Sequence, residues 1–221
     1  MSTENPLATM TDMPVAMTDD FDLVTSSKAY LPRLQLMTSN SASCKAGDFP
    51  VNHYARVHDS AELDLDVTVD CLVCAWRPLA LETQAENGVN AFYDPKSDDF
   101  IRVQAAADVK TSGDEINGNL YGPQFLLWLP AQKEFVAFFM SSPTARRASP
   151  SVKALIGKAA TLGSKKIVGK KFSWFGPTCI ECSTPFEMPT EDEARQAMTD
   201  FANPPEPVIE TVAAEDEATR E

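Results

Sequence analysis

Apolar and polar residues alternate along much of this chain, and the elements that alternation predicts are mostly strands. "YLPRLQLM" alternates at Leu34 and Leu36 and predicts a strand entered through Pro32. The polar loop "TSNSASCKAGD" follows, and a second strand is expected around "FPVNHYARV". The third is the most regular: "ELDLDVTVDCLVCAW" places Leu63, Leu65, Val67, Val69, Cys71 and Val73 on one face, with Asp64, Asp66, Thr68 and Asp70 on the other. Beyond Asp70 both faces turn apolar, so this strand is expected to run into the core between two layers. "ENGVNAFYDPKSDDFIRVQAAA" reads as a loop or hairpin leading to a strand near Ile101 to Ala105. "GPQFLLWLPAQKEFVAFFM" reads as a hairpin turning at "PAQKE", with Pro130 ending its first strand.

Helical signals are fewer. Ser142–Pro143 and Ser149–Pro150 each place an N-cap residue before proline, which predicts a short turn and then a helix, "PSVKALIGKAATL". That helix would carry Val152, Leu155, Ile156 and Ala159 on one side and be closed by Gly163. "KKIVGKKFSWF" and "TCIECST" return to strands, and "TEDEARQAM" offers a capping box from Thr190 to Glu193 with a weak helix through Phe201. Strands, one helix and more strands disfavour a parallel α/β sheet. The expected fold is mainly β with one or two helices, most economically an OB-fold-like small β-barrel, although a sandwich or another α+β arrangement has the same strand count. Residues 1–27 read as a flexible N-terminal arm, 28–189 as the domain, and 190–221 as a weak helix with a disordered acidic tail.

Charge changes this picture. The formal net charge is −13, but it is unevenly placed: residues 135–179 hold eight bases and no acid, whereas 180–221 hold twelve acids and two bases. Neither a signal-type leader nor an apolar run long enough to span a bilayer is read here, and five cysteines fit a reducing compartment, so a cytoplasmic protein with no membrane partner is expected.

The acid-free block supplies the leading candidates: Arg146, Arg147, Lys153, Lys158, Lys165, Lys166, Lys170 and Lys171, with Phe172, Trp174 and Phe175 directly after them. Clustered cations gain by releasing counterions from phosphate backbones, and exposed rings give unpaired bases a surface to stack on. Trp174 is the preferred platform; Trp128 and Phe138 are secondary, because rings in a hairpin belong to the core more often. The acidic tail is suited to compete for the cationic groove or to dock on basic partners.

Other constellations point less clearly to chemistry. The pairs Cys71/Cys74 and Cys179/Cys182 have a zinc-like spacing, but the first lies in an alternating strand where residues three apart face opposite sides, so all four are read as structural cysteines. Asp64, Asp66 and Asp70, with His53 and His58 upstream, raise a metal-dependent nuclease as an alternative. The chain has no Walker A sequence, dinucleotide fingerprint or nucleophile elbow, so a non-enzymatic role without a cofactor is expected.

"YLPRLQLMTSNS", the stretch "MSSPTARRASPSVKALIGKAA" after an apolar strand, the late "KKFSWF" and the acidic C-terminus together resemble bacteriophage-type single-stranded DNA-binding proteins, over Tyr30 to Thr184 and the tail. The resemblance implies an OB-fold core that coats exposed strands in replication or recombination. It also implies that the tail contacts replication proteins and screens the DNA groove, in the host cytoplasm for a phage protein. The other non-enzymatic alternative is an accessory factor whose basic block holds an acidic protein.

Overall fold

The computed structural model describes residues 31–58, 61–82, 91–109, 118–170, 173–183 and 185–203. The expected N-terminal arm and the acidic tail beyond Asn203 lie outside them. In chain order the elements are β1 (Arg33–Leu36), α1 (Ala42–Ala46), β2 (Tyr54–His58), β3 (Ala61–Asp64), β4 (Val69–Glu82), β5 (Ala91–Tyr93) and α2 (Asp98–Ala106). They continue with β6 (Asn119–Leu129), β7 (Glu134–Phe139), α3 (Pro143–Lys153), β8 (Ala159–Val168), β9 (Ser173–Glu181) and α4 (Glu191–Ala202). The mainly β character holds, with four helices among the described residues where one or two were expected.

The described strands form one mixed sheet in the order β3-β2-β1-β7-β6-β4-β8-β9, with β5 beside β4. Only β1 and β7 pair in parallel among the described strands. The sheet curls, so that strands near its two ends meet: the Tyr54 hydroxyl on β2 donates to the Gly163 carbonyl on β8 at 2.8 Å, and Ser164 bonds to Asn52 beside it. The enclosed face holds the main core, with Leu34, Tyr54, Cys71, Val73, Phe125, Leu127, Val136, Phe138 and Leu162, and α3 adds Ala145 and Val152.

The outer face is covered too. Thr190 and Glu193 form the expected capping box, and α4 then buries Ala194, Ala197 and Phe201 against Leu72, Leu126, Trp128 and Phe135. Arg77 is buried at this contact, donating to Gln124 at 2.8 Å and lying 4.7 Å over the Phe201 ring; burial pushes its guanidinium down to about 10. Alternation leaves Cys71 in the main core and Cys74 against the α4 cluster, and a register shift between Val73 and Ala75 bulges β4 there, so that Ala75 joins Cys74 on the α4 side and Trp76 returns to the core side.

Three expectations are corrected. "ELDLDVTVDCLVCAW" is not one strand but two, β3 at the sheet edge beside β2 and β4 beside β6 and β8, parted by a turn at Asp66, whose φ is 78°. The Asp64 carboxylate accepts the Asp66 N–H at 2.8 Å, the local bond that lets aspartate compete with a ladder, and Leu63 is left 50% exposed. Residues 98–106 are helical, because Ser97 accepts from the Phe100 N–H at 3.2 Å and Phe100 and Val103 then share a buried face.

The last correction concerns α3. It starts at Pro143, contains Pro150 and ends at Lys153, ten residues before Gly163. Proline in a helix interior removes the bond to the carbonyl four residues back. Here the Ser149 hydroxyl donates to that carbonyl, on Arg146, at 2.8 Å. Gly157, at φ 78°, turns the chain into β8 and donates its N–H to the Val73 carbonyl at 2.7 Å.

Candidate functional site

The acid-free block folds into α3 and the β8–β9 hairpin. Pairing of β8 with β4 stops at Val69–Leu162, while pairing with β9 continues to Val168–Ser173, so Gly163 to Val168 form a ribbon beyond β4. Lys165 and Lys166 stand on opposite faces of this ribbon, Lys170 lies in the turn after it, and all three are exposed. Among the described residues none of them has an ion-pair partner. Lys166 is directly opposite Phe175 and Ile167 opposite Trp174, both rings being half-buried. Lys171 and Phe172 lie outside the described residues.

Helix α3 separates the remaining cations by rotation. Residues advance about 100° each around a helix. Arg146 therefore turns toward the body of the protein, donating to the Tyr121 carbonyl at 2.8 Å and the Ser141 carbonyl at 2.6 Å and pairing with Asp108. Arg147, the next residue, is exposed. Lys153, two turns past Arg146, is half-buried with Nζ 3.0 Å from the centroid of the Trp76 ring, and burial lowers its pKa. Lys158 is exposed and pairs with Glu181 at 3.4 Å. The eight predicted cations thus divide: Arg147, Lys165, Lys166 and Lys170 are exposed with no carboxylate partner among the described residues, Arg146, Lys153 and Lys158 have partners in the fold, and Lys171 lies outside the described residues.

The rings divide as well. The indole N–H of Trp174 donates to Thr144 on α3 at 3.0 Å, which fixes the ring against the helix. A Cβ on neighbouring Gly176 would lie 2.5 Å from Thr144 Cγ2, so the close approach of α3 to β9 requires glycine there. Trp128 and Phe138 are each 3% exposed, and Trp128 donates to the Glu187 carbonyl at 3.0 Å; both belong to the core. Trp76 was not among the sequence candidates. The apolar run "CLVCAW" signals burial, and only the tertiary approach of Lys153 distinguishes the ring at its end.

The aspartates expected to share one strand face are parted by the turn at Asp66. Asp64 accepts from His53 at 2.9 Å, and Asp70 from Thr161. Burial pushes the Cys74 thiol up to about 12 and that of Cys179 to about 11, as for inert buried thiols. Among the described residues no three His, Cys, Asp or Glu side chains are placed to hold a metal ion, and no helix is long and apolar enough to cross a membrane. In comparisons with known proteins, no family model, curated protein or solved structure gave a significant match to the chain.

Proposed function

We propose that the protein binds single-stranded DNA without catalysing its turnover, in replication or recombination, through the β8–β9 hairpin and the outward side of α3. The observation that carries this reading is the ribbon from Gly163 to Val168. It presents Lys165 and Lys166 on its two faces and Lys170 at its turn, with Phe175 opposite Lys166, in a stretch that holds no acid. Exposed cations with no ion-pair partner among the described residues are available to phosphates, and adjacent rings to bases.

The topology supports the same reading. β4, β6 and β7, then α3, then β8 and β9 supply five strands and a helix in the order of an OB-like barrel, with β4 pairing both β6 and β8. In that fold the last hairpin loop is a recurrent oligonucleotide-binding loop. Here it is the turn carrying Lys170. β1 lies along β7, which fits a partly open barrel extended by β1 to β3.

The test is a fluorescence-anisotropy titration of labelled oligo(dT) at several salt concentrations. Substituting Lys165, Lys166 and Lys170 together by Gln should flatten the dependence of log affinity on log salt by about 0.7 per lysine lost from a phosphate. The urea midpoint should not move, since none of the three has an ion-pair partner among the described residues. If the unaltered chain fails to bind at low salt, the reading is wrong.

A further inference from the structure

We propose that Trp76 is a second base-stacking platform, covered in the free protein by Lys153, whose ammonium moves from the ring to a phosphate when a base takes its place. This rests on the single-strand reading above and extends it to a surface away from the hairpin.

The surface is a ribbon of β4 and β6. Trp76 is opposite Phe125, Pro78 opposite Pro123, and Ala80 opposite Tyr121, so these residues share one face. Trp76, Pro78, Pro123 and Tyr121 are all half-buried, which makes a stiff, largely apolar floor. Helix α3 runs beside it, and Arg146 and Lys153, two turns apart, lie on the same flank. Each reaches one ring: the Arg146 guanidinium lies 5.9 Å over Tyr121, and Lys153 Nζ 3.0 Å over Trp76.

The two cations differ in how firmly they are held. Arg146 is fixed by two carbonyls and Asp108. Lys153 has neither a carboxylate nor a hydrogen-bond acceptor among the described residues, and its partly desolvated ammonium rests on the indole alone. A nucleobase offers the indole a larger stacking surface than the ammonium does, and its phosphate offers the displaced lysine a full negative charge. An unpaired base can lay its face on a ring set into a floor, whereas a paired base in a duplex has both faces stacked. Single-stranded nucleic acid therefore fits this surface. Exposed Arg147 stands on the same helix and adds a further cation to α3.

The experiment uses the full chain and an iodouracil-substituted oligo(dT), cross-linked by light and mapped by mass spectrometry. A cross-link at Trp76 is expected. Lys153→Ala should reduce the salt slope by about 0.7, and Trp76→Ala should weaken binding about fivefold to a hundredfold. Trp76→Phe, which keeps a ring in the floor, guards against a misfolded alanine variant and should lose a smaller factor along with part of the tryptophan quenching. If the oligonucleotide binds with a salt slope that depends on the hairpin lysines, yet Trp76→Phe and Lys153→Ala match the unaltered chain and no cross-link reaches Trp76, this proposal is overturned and the single-strand reading stands. If the oligonucleotide does not bind at all, both fall.

Discussion

Two neighbouring arginines show how much a single position decides. Arg146 supplies hydrogen bonds to the Tyr121 and Ser141 carbonyls and is the ion-pair partner of Asp108, whereas Arg147 is exposed on the same helix. Arg146→Ala leaves two carbonyls without their donor, so it should cost about 1–3 kcal/mol of stability, read as a lower urea midpoint. Arg147→Ala should leave that midpoint unchanged and weaken oligonucleotide binding most at low salt. Equal loss of stability in both variants would contradict this division. Gly122 is decided as sharply by its surroundings, because a Cβ there would lie 2.3 Å from the Met140 carbonyl oxygen. That oxygen is backbone and cannot rotate away, so Gly122→Ala should destabilise the fold by about 1–3 kcal/mol or more.

At the scale of elements, α2 is tied to the sheet by Arg102, which donates to Glu82 at 3.1 Å and to Asp99 at 3.2 Å, while the Tyr93 hydroxyl donates to Glu82 at 2.7 Å. The Arg102 bond, and then that of Tyr93, hold the Glu82 carboxyl below its usual range. A carboxylate depressed by folding stabilises above its unfolded pKa, and that contribution disappears as pH falls through the lower folded value. Glu82→Gln should therefore lower the urea midpoint at neutral pH, and the gap between variant and parent should close in acid. On the opposite face, Phe201 is 5% exposed within the α4 cluster, and Phe201→Ala should cost about 3–5 kcal/mol. Elements governed by neighbours in sequence were legible beforehand: the alternation at Leu34 and Leu36, the turn at "PAQKE", and the capping box at Thr190 and Glu193. The start of α3 was not, because Pro150 is tolerated only through the Ser149 hydroxyl reaching back to Arg146. For the same reason charge counting located Lys165, Lys166 and Lys170 but could not separate Arg147 from Arg146, whose partners come from β6 and the segment after α2.

Across the whole molecule the charges are segregated along the chain. The residues after Asn203 carry six acids and one base, against a hairpin whose exposed lysines lie in a stretch of sequence that holds no acid. A tethered anionic segment competes with DNA at high effective concentration, and the competition weakens as salt screens it. Where that segment begins matters for the test. Ending the chain at Pro189 would also remove α4, exposing Leu72, Leu126, Trp128 and Phe135, and the resulting loss of stability would obscure any gain in binding. Ending it at Asn203 keeps the helix and removes only the acidic segment. The shorter chain should keep its urea midpoint and bind oligo(dT) more tightly than the full chain at low salt, with the two isotherms converging as salt rises. Parallel isotherms at every salt concentration would show that the acidic segment does not reach the cationic surface, and its charge would then serve partners other than the protein's own hairpin.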